Sequence, residues 1–376
     1  MTGHIRRRKT KAGLTWQVIL DKGVNASGKR IREYIAVNGT QKAAKELLNQ
    51  KISEYNSGTY IEPSVLTVKS CIEQWLIAYA EPSLSPSTLR GYRVNFEKHT
   101  YPYIGHIALQ KLSPVDIQYM YSELGKKGLS PRSIRYVHTT LREVLQYACK
   151  MRLISVNVSD FVTTPKQTKF KASVYNECEV AQLLRCAEGT DLEIPLLLDV
   201  ETGLRRGELL ALKWCDIDWE AGTADICRNL VCIKGEYLFQ SPKTESGNRT
   251  LLLSKALLEK LKQHRIQQNE MKLRMGSGYH NNDLICCRSN GSPYQTGSFS
   301  HKFGDFLLKH NLKGIRFHDL RHTNATLMLK NGVPAKIASE RLGHANIAIT
   351  LDTYSHVSTE MQQDAVDKLS ISAFGA

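Results

Sequence analysis

The 376-residue chain has no run of apolar residues approaching the ~18 that a membrane-spanning helix requires, so a soluble protein with no membrane partner is expected. Its first residues, MTGHIRRRKTKAG, carry positive charge with no apolar stretch behind them, which does not fit a secretory leader. The nine cysteines are an odd number, scattered among helical patterns without a CxxC pair. That spacing disfavours both a disulfide framework and a zinc site, and a reducing bacterial cytosol is the expected compartment. Internal repeats and low-complexity tracts are missing too. Acid is in deficit: 36 Asp and Glu stand against 51 Lys and Arg, a formal charge of +15. A polyanion, nucleic acid first, is the expected partner.

The charge is uneven. Residues 1–60 hold twelve Lys and Arg against four Asp and Glu, so +8 of the +15 lies in the first sixth of the chain. The length itself suggests two or three domains. Residues 1–60 read as two or three strands and a helix. Thr15 to Leu20 alternates as a strand, Asn25-Ala26-Ser27-Gly28 is a turn, and Lys29 to Val37 is a second strand with Arg30, Arg32 and Tyr34 on one face. Thr40 is the expected N-cap of a helix whose stripe includes Ala44, Leu47, Leu48 and Ile52. A small basic sheet can lie in a DNA groove, and Arg6, Arg7, Arg8, Lys9, Lys11, Trp16, Arg30, Arg32 and Tyr34 are its candidate contacts. Read more plainly, the same residues are a solvated sheet face.

After a short linker, residues 66–160 read as nearly all helical. Ser85-Pro86, Ser113-Pro114 and Ser130-Pro131 each place a hydroxyl cap before a proline at the first helical position, where a missing N–H costs nothing. A bundle of about four helices is expected. Arg90, Tyr92 and Arg93 on one helix, and Arg132, Arg135 and Tyr136 on another, are candidates to grip a duplex backbone. Residues 161–172 read as a second linker. A last domain, 173–376, opens with Asn176 and Glu179 as a capping box, and Thr223–Ile233 with Tyr237–Leu253 reads as one small antiparallel sheet. The expected fold class is multidomain and mainly α with small β-sheets.

Chemistry concentrates between Phe317 and Val357. His318 and Arg321 share one face at the start of a helix that Asn331-Gly332 ends, and a second short helix runs from Pro334 to Gly343. His344 follows directly, and Tyr354 comes ten residues later. Upstream lie TGLRRGELLAL, with Arg205 and Glu208, and Ser241-Pro242-Lys243-Thr244 ahead of a glycine turn. A planar guanidinium matches two phosphate oxygens, and Glu208 is placed to hold Arg205 by an ion pair. No Asp/Glu cluster suited to Mg²⁺ lies near these motifs, so neither metal nor cofactor is expected.

The ordered series Arg205, Lys243, His318-x-x-Arg321, His344, Tyr354, set in TGLRRGELLAL, LRHT, LGH and TYSHV, resembles the catalytic set of the tyrosine recombinases, the phage integrase family. The resemblance implies a reaction: Tyr354 is the nucleophile that forms a 3′-phosphotyrosine, Lys243 the general acid for the leaving 5′ oxygen, and Arg205 and Arg321 the phosphate clamp. His318 assists as acid/base, His344 binds the scissile phosphate, and Glu208 supports. It also implies an architecture in which 1–60 is an arm-type DNA-binding domain, 66–160 a helical core-binding domain and 173–376 a mixed α/β catalytic domain. The partners are then double-stranded DNA at core and arm-type sites and a homo-tetramer passing through a Holliday junction, with a place for an excision or host architectural factor. Integration and excision of a phage or conjugative element is the function so implied. A chromosome- or plasmid-dimer resolvase, a type IB topoisomerase and a non-catalytic DNA-binding regulator of the same fold are the alternatives. Past Tyr354, Met361, Ala365 and Leu369 mark a short amphipathic tail that packs on its own domain or docks into a neighbour, as the resemblance favours.

Overall fold

Alternation of polar and apolar residues near the start of the chain produces an antiparallel meander of β1 (Thr2–Thr10), β2 (Gly13–Val24) and β3 (Arg30–Val37), followed by α1 (Gln41–Asn56). The computed structural model describes residues 2–10, 13–24, 28–57, 60–167, 173–233, 235–242, 247–344, 346–347 and 350–351, with backbone alone at residues 9, 10, 13 and 14. Among the sequence-predicted features, Lys11, the turn at residues 25–27, Lys243, Tyr354 and the tail lie outside these residues, as does the side chain of Lys9. The chain divides into two units, Met1–Thr168 and Lys169–Ala376. Among the described residues no helix is long and apolar enough to cross a membrane.

Thr40 caps α1, its hydroxyl accepting from the Ala43 N–H at 3.3 Å, and α1 lays Ala44 and Leu48 onto Val18 and Leu20 of β2. The register corrects two expectations. Directly opposed residues of an antiparallel pair share a face, and Arg7 stands opposite Trp16 while Ile5 stands opposite Val18. Trp16 therefore shares the helix side with Val18 and Leu20 and packs, half-buried, against their cluster, on the side away from the open basic face. Arg7 shares that side. Arg6, Arg8, Arg30, Arg32 and Tyr34 remain on the other, where Asp21 lies 3.9 Å from Arg30 and 3.6 Å from Arg32, and Arg6 donates to Gln17 at 3.0 Å.

Four helical runs come next. The first is α2 (Val68–Trp75), a wide π turn over Leu76–Ala80, and α3 (Glu81–Ser83). The second is α4 (Pro86–Asn95), another π turn over Phe96–Thr100, and α5 (Tyr101–Ile104). Then come α6 (Pro114–Lys126) and α7 (Pro131–Lys150). Pro82 and Pro102 explain the two wide turns. A proline ring clashes with the carbonyl four residues back, and just before each ring the chain bonds five back instead, Glu81 N–H to Leu76 O and Tyr101 N–H to Phe96 O. The core is aromatic: the Trp75 ring stacks on Tyr92 with centroids 5.9 Å apart and meets Phe96 edge-on. Tyr92 is thereby another correction, buried and donating its hydroxyl to Glu143 at 3.0 Å rather than facing outward beside Arg90.

In the second unit the order is α8 (Glu177–Ala187), α9 (Glu193–Thr202), α10 (Arg206–Leu209), β4 (Ile217–Asp218), β5 (Thr223–Ile226), β6 (Asn229–Ile233), β7 (Glu236–Gln240), β8 (Arg249–Leu252), α11 (Lys255–Met275), α12 (Thr296–Lys309), α13 (Phe317–Lys330) and α14 (Ala335–Leu342). The expected single sheet is two: β4-β5-β8, and a separate β6-β7 hairpin. The break falls at Cys227-Arg228, where the Arg228 guanidinium pairs with Asp216. α10 is a single turn that starts at Arg206, with Arg205 in its cap position. Two glycines in the left-handed region terminate helices near Arg205: Gly203 (φ +61) ends α9 and Gly343 (φ +67) ends α14. At Gly203 a side chain has no room, since a Cβ would lie 2.5 Å from Leu342 and 2.7 Å from Asn324. The ends of α9, α13 and α14 can meet for that reason.

Candidate active site

Arg321 lies on the second turn of α13, a helix opened by Arg316 and Asp319, whose carboxylate accepts the Arg316 N–H at 2.9 Å and its guanidinium at 2.6 Å. The Arg321 guanidinium is 2% exposed and is held by two main-chain carbonyls, Gly203 O at 2.7 Å and Leu342 O at 2.6 Å. Both carbonyls belong to helix C-termini, where the partial charge is negative and favours a cation. Burial, and after it the charge of Arg205, lowers the Arg321 pKa to about 10, which leaves it charged at neutral pH.

Arg205 sits beside it. One guanidinium nitrogen donates to Glu208 at 2.7 Å and the other to Gly343 O at 2.8 Å, so the turn ending α14 holds both arginines through consecutive carbonyls. Glu208 also accepts the Arg205 main-chain N–H at 3.0 Å and the guanidinium of Arg249 at 2.9 Å. Burial pushes its carboxyl up, but Arg249 and Arg205 outweigh that and hold it below its ordinary value. Arg249, on β8, extends the frame by donating to Arg341 O at 2.7 Å and Gly247 O at 3.1 Å. Beneath lies Asp199, fully buried, with neither carboxyl oxygen hydrogen-bonded among the described residues; burial pushes its carboxyl well above the usual range. Arg205 and Arg249 thus share the Glu208 carboxylate while Arg321 is held by main-chain carbonyls, and the clustered guanidiniums suit an anion.

Two imidazoles flank the arginines. His318 packs edge-on to His322 with centroids 5.2 Å apart, and burial with the nearby His322 and Arg321 lowers its pKa to about 4. His344, just past Gly343, sets its Nδ1 2.8 Å from the Thr350 hydroxyl, and burial with Arg321 and Arg205 also lowers it to about 4. Both rings are neutral near pH 7. Each then offers one N–H and one lone pair without adding charge. Among the described residues, no group of three His, Cys, Asp or Glu is arranged to hold a metal ion.

The phage integrase family model matches residues 174–361, half of the chain, and the model of the phage integrase N-terminal SAM-like domain matches residues 67–125. The chain belongs to the phage integrase family. A tyrosine recombinase XerC-like protein of Caldanaerobacter subterraneus is 28% identical over 375 residues, covering 94% of this chain and 95% of its own. The ICEBs1 integrase of Bacillus subtilis is 27% identical, covering 91% and 93%. Among solved structures, the Tn1549 transposon integrase in complex with transposon right-end DNA has a TM-score of 0.70 at 19% identity, over 81% of this chain and 99% of that one. A lambda integrase tetramer bound to a Holliday junction has a TM-score of 0.59 at 19% identity, over 90% and 95%.

Within this integrase the structure brings together Arg205, Glu208, His318, Arg321 and His344. The basic candidates of the first unit lie on its surface: Arg90, Arg132 and Arg135 are exposed, whereas Arg93 is already paired with Glu81 and would have to leave that carboxylate to reach DNA. Sequence reading missed Arg249 and Asp199. Arg249 carried only a weak signal, an arginine opening the short strand RTLL. Asp199 carried another, an acid within the apolar helix EIPLLLDVET.

Proposed function

We propose that the protein is a site-specific DNA recombinase that integrates and excises a mobile element through a 3′-phosphotyrosine intermediate, with 1–60, 66–160 and 173–376 as three DNA-contacting modules. The observation that carries this reading is the pair of guanidiniums, Arg205 and Arg321, fixed side by side by the carbonyls of Gly343 and Leu342. Fixed donors aimed at one place stabilise the charge that develops on a phosphate in transfer and need no reorganisation at the moment of reaction.

The Tyr354 phenol attacks the scissile phosphorus in line, forming the P–O(Tyr) bond as the P–O5′ bond breaks. Its proton must leave during attack, since a free phenol has a pKa of about 10. Neutral His318 has the lone pair to take it, and neutral His344 donates an N–H to a non-bridging oxygen. Lys243 supplies the proton that the departing 5′ oxygen needs. The free 5′ hydroxyl of the partner strand reverses these steps, so bond energy is kept in the phosphotyrosine and no external energy source enters. Two such exchanges through a Holliday junction require four protomers on DNA in the bacterial cytosol, with an excision or architectural factor setting direction. The lambda integrase tetramer on a Holliday junction and the Tn1549 integrase with transposon-end DNA support this arrangement by likeness of fold.

The test is a covalent adduct. The purified protein is incubated with nicked duplex DNA from the element's ends, quenched in detergent and resolved by gel beside Tyr354→Phe. An adduct at one defined position, absent in the variant, is expected. Strand joining by Tyr354→Phe overturns the mechanism, and tight binding with no adduct in either protein favours a regulator of the same fold.

A further inference from the structure

Beside Arg205 a cleft of about 800 Å³ runs from α10 across to α12, lined by Arg205, Arg206, Ser300, His301, Arg316 and His318 among others. Its charged and titratable lining is entirely basic among the described residues; none of the lining residues is an acid. Two of its three arginines have their charge answered elsewhere: Arg205 by Glu208 and Arg316 by Asp319. Arg206 does not. Among the described residues its hydrogen-bond partner is a neutral hydroxyl, Ser300 Oγ at 2.5 Å. The arginines around it show how this unit ordinarily anchors a guanidinium, Arg228 on Asp216, Arg249 on Glu208 and Arg321 on two carbonyls.

A half-buried guanidinium has lost part of its hydration, and burial alone accounts for the lowering of the Arg206 pKa. Without a carboxylate to offset that cost, an anion entering the cleft recovers it. Arg205 is in extended backbone at φ −67 and ψ 143. The two guanidiniums are anchored on different elements, Arg205 on Glu208 and Gly343 O and Arg206 on Ser300 of α12. Ser300 steers Arg206 toward α12, away from Glu208.

We propose that Arg206, steered by Ser300, is an anion subsite for a second phosphodiester of the bound strand, next to the scissile one and distinct from it. This rests on the reading that the protein binds and cleaves DNA. The subsite fixes the strand on both sides of a bond, and its arginine is a positioning residue that does not touch the reacting atoms.

The experiment is a binding measurement, so that it remains readable if no covalent adduct forms. Full-length protein, Arg206→Gln, Arg206→Lys and Ser300→Ala are titrated with a duplex oligonucleotide from the element's ends across a salt series. The same duplexes are then used with single phosphates replaced by neutral methylphosphonates. For Arg206→Gln we expect about tenfold weaker binding, a salt slope smaller by about 0.9 and an unchanged melting temperature. One methylphosphonate, not at the scissile position, should weaken the unmodified protein as much as Arg206→Gln does and weaken Arg206→Gln no further. Arg206→Lys should lie between, and Ser300→Ala should lose less at that same phosphate. If the coupling falls on the scissile phosphate, on no phosphate, or if the salt slope is unchanged, the proposal is wrong. A wild-type protein that binds but never forms an adduct defeats the recombinase reading while leaving this result interpretable.

Discussion

Arginine serves opposite ends in the two units of this chain. In the second, the side chains of Arg249 and Arg321 are buried and that of Arg205 is half-buried, and all three are bonded to acceptors that belong to the fold. In the first, Arg8, Arg32, Arg90, Arg132 and Arg135 stand in solvent, and where a carboxylate is near, as Asp21 is to Arg32, the pair is 3.6 Å apart and open to screening. The first group is organised before any ligand arrives, and it suits a charge that exists only briefly. The second is exposed and hydrated, and it suits a long polyanion met at many points. On the proposed function the same residue type would give rate in one place and attraction in the other, with the acceptors around it deciding which.

Arg321 should show the contrast most strongly. Arg321→Lys keeps the charge and loses the fork that reaches Gly203 O and Leu342 O together. Single-turnover formation of the covalent adduct should fall about 10²–10³-fold, the usual loss when a fixed oxyanion donor is removed. Binding of DNA, measured by anisotropy, should change little. A parallel loss of affinity would mean that Arg321 is an attraction residue after all.

A smaller effect should come with pH. His318 and His344 fall from an ordinary 6.5 to about 4 in the folded protein. Between those values the unfolded chain binds more protons than the native one, so stability is full above pH 6.5 and drains away as pH falls toward 4. Glu208, held below its ordinary value by Arg249 and Arg205, adds a loss in the same direction at still lower pH. Urea unfolding from pH 7 to pH 4.5 should therefore show a falling midpoint, and the His344→Gln protein a shallower fall. An equal slope in the variant would remove His344 from its cause.

Local chemistry made part of the fold legible. Ser113 and Ser130 are the hydroxyl N-caps that their Ser-Pro pairs announce, Ser85 holds the cap position but turns its hydroxyl to that of Thr88, Asn176 and Glu179 form their box, and Gly203 and Gly343 end their helices in the left-handed region. Features that depend on distant residues were not legible. Pro82 and Pro102 look like helix ends until the wide turns before them absorb the rings. Nothing in the spacing of residues 223–253 shows that the strands part at Cys227-Arg228, where Arg228 pairs with Asp216. At the site, Arg205 and Glu208 stand three apart and could be paired by eye, whereas the bond from Arg249 to Glu208 spans 41 residues and exists only once β8 has paired with β5.

The finest division falls between two neighbours of one strand. Arg7 and Arg8 are identical in type, adjacent and both exposed, yet the register sets Arg7 opposite Trp16 on the helix side and Arg8 opposite Thr15 on the open side with Arg6 and Arg32. If the open face lies along DNA, Arg8→Gln should reduce the salt slope of binding by about 0.9, the contribution of one neutralised phosphate, with only a few-fold loss of affinity. Arg7→Gln should leave the slope where it was, because its side chain leaves the sheet on the side that α1 covers. The measurement is a salt titration of duplex binding by the two variants side by side. Equal losses would mean that the basic residues act as a diffuse charge, and that strand alternation does not select which of them meets the duplex.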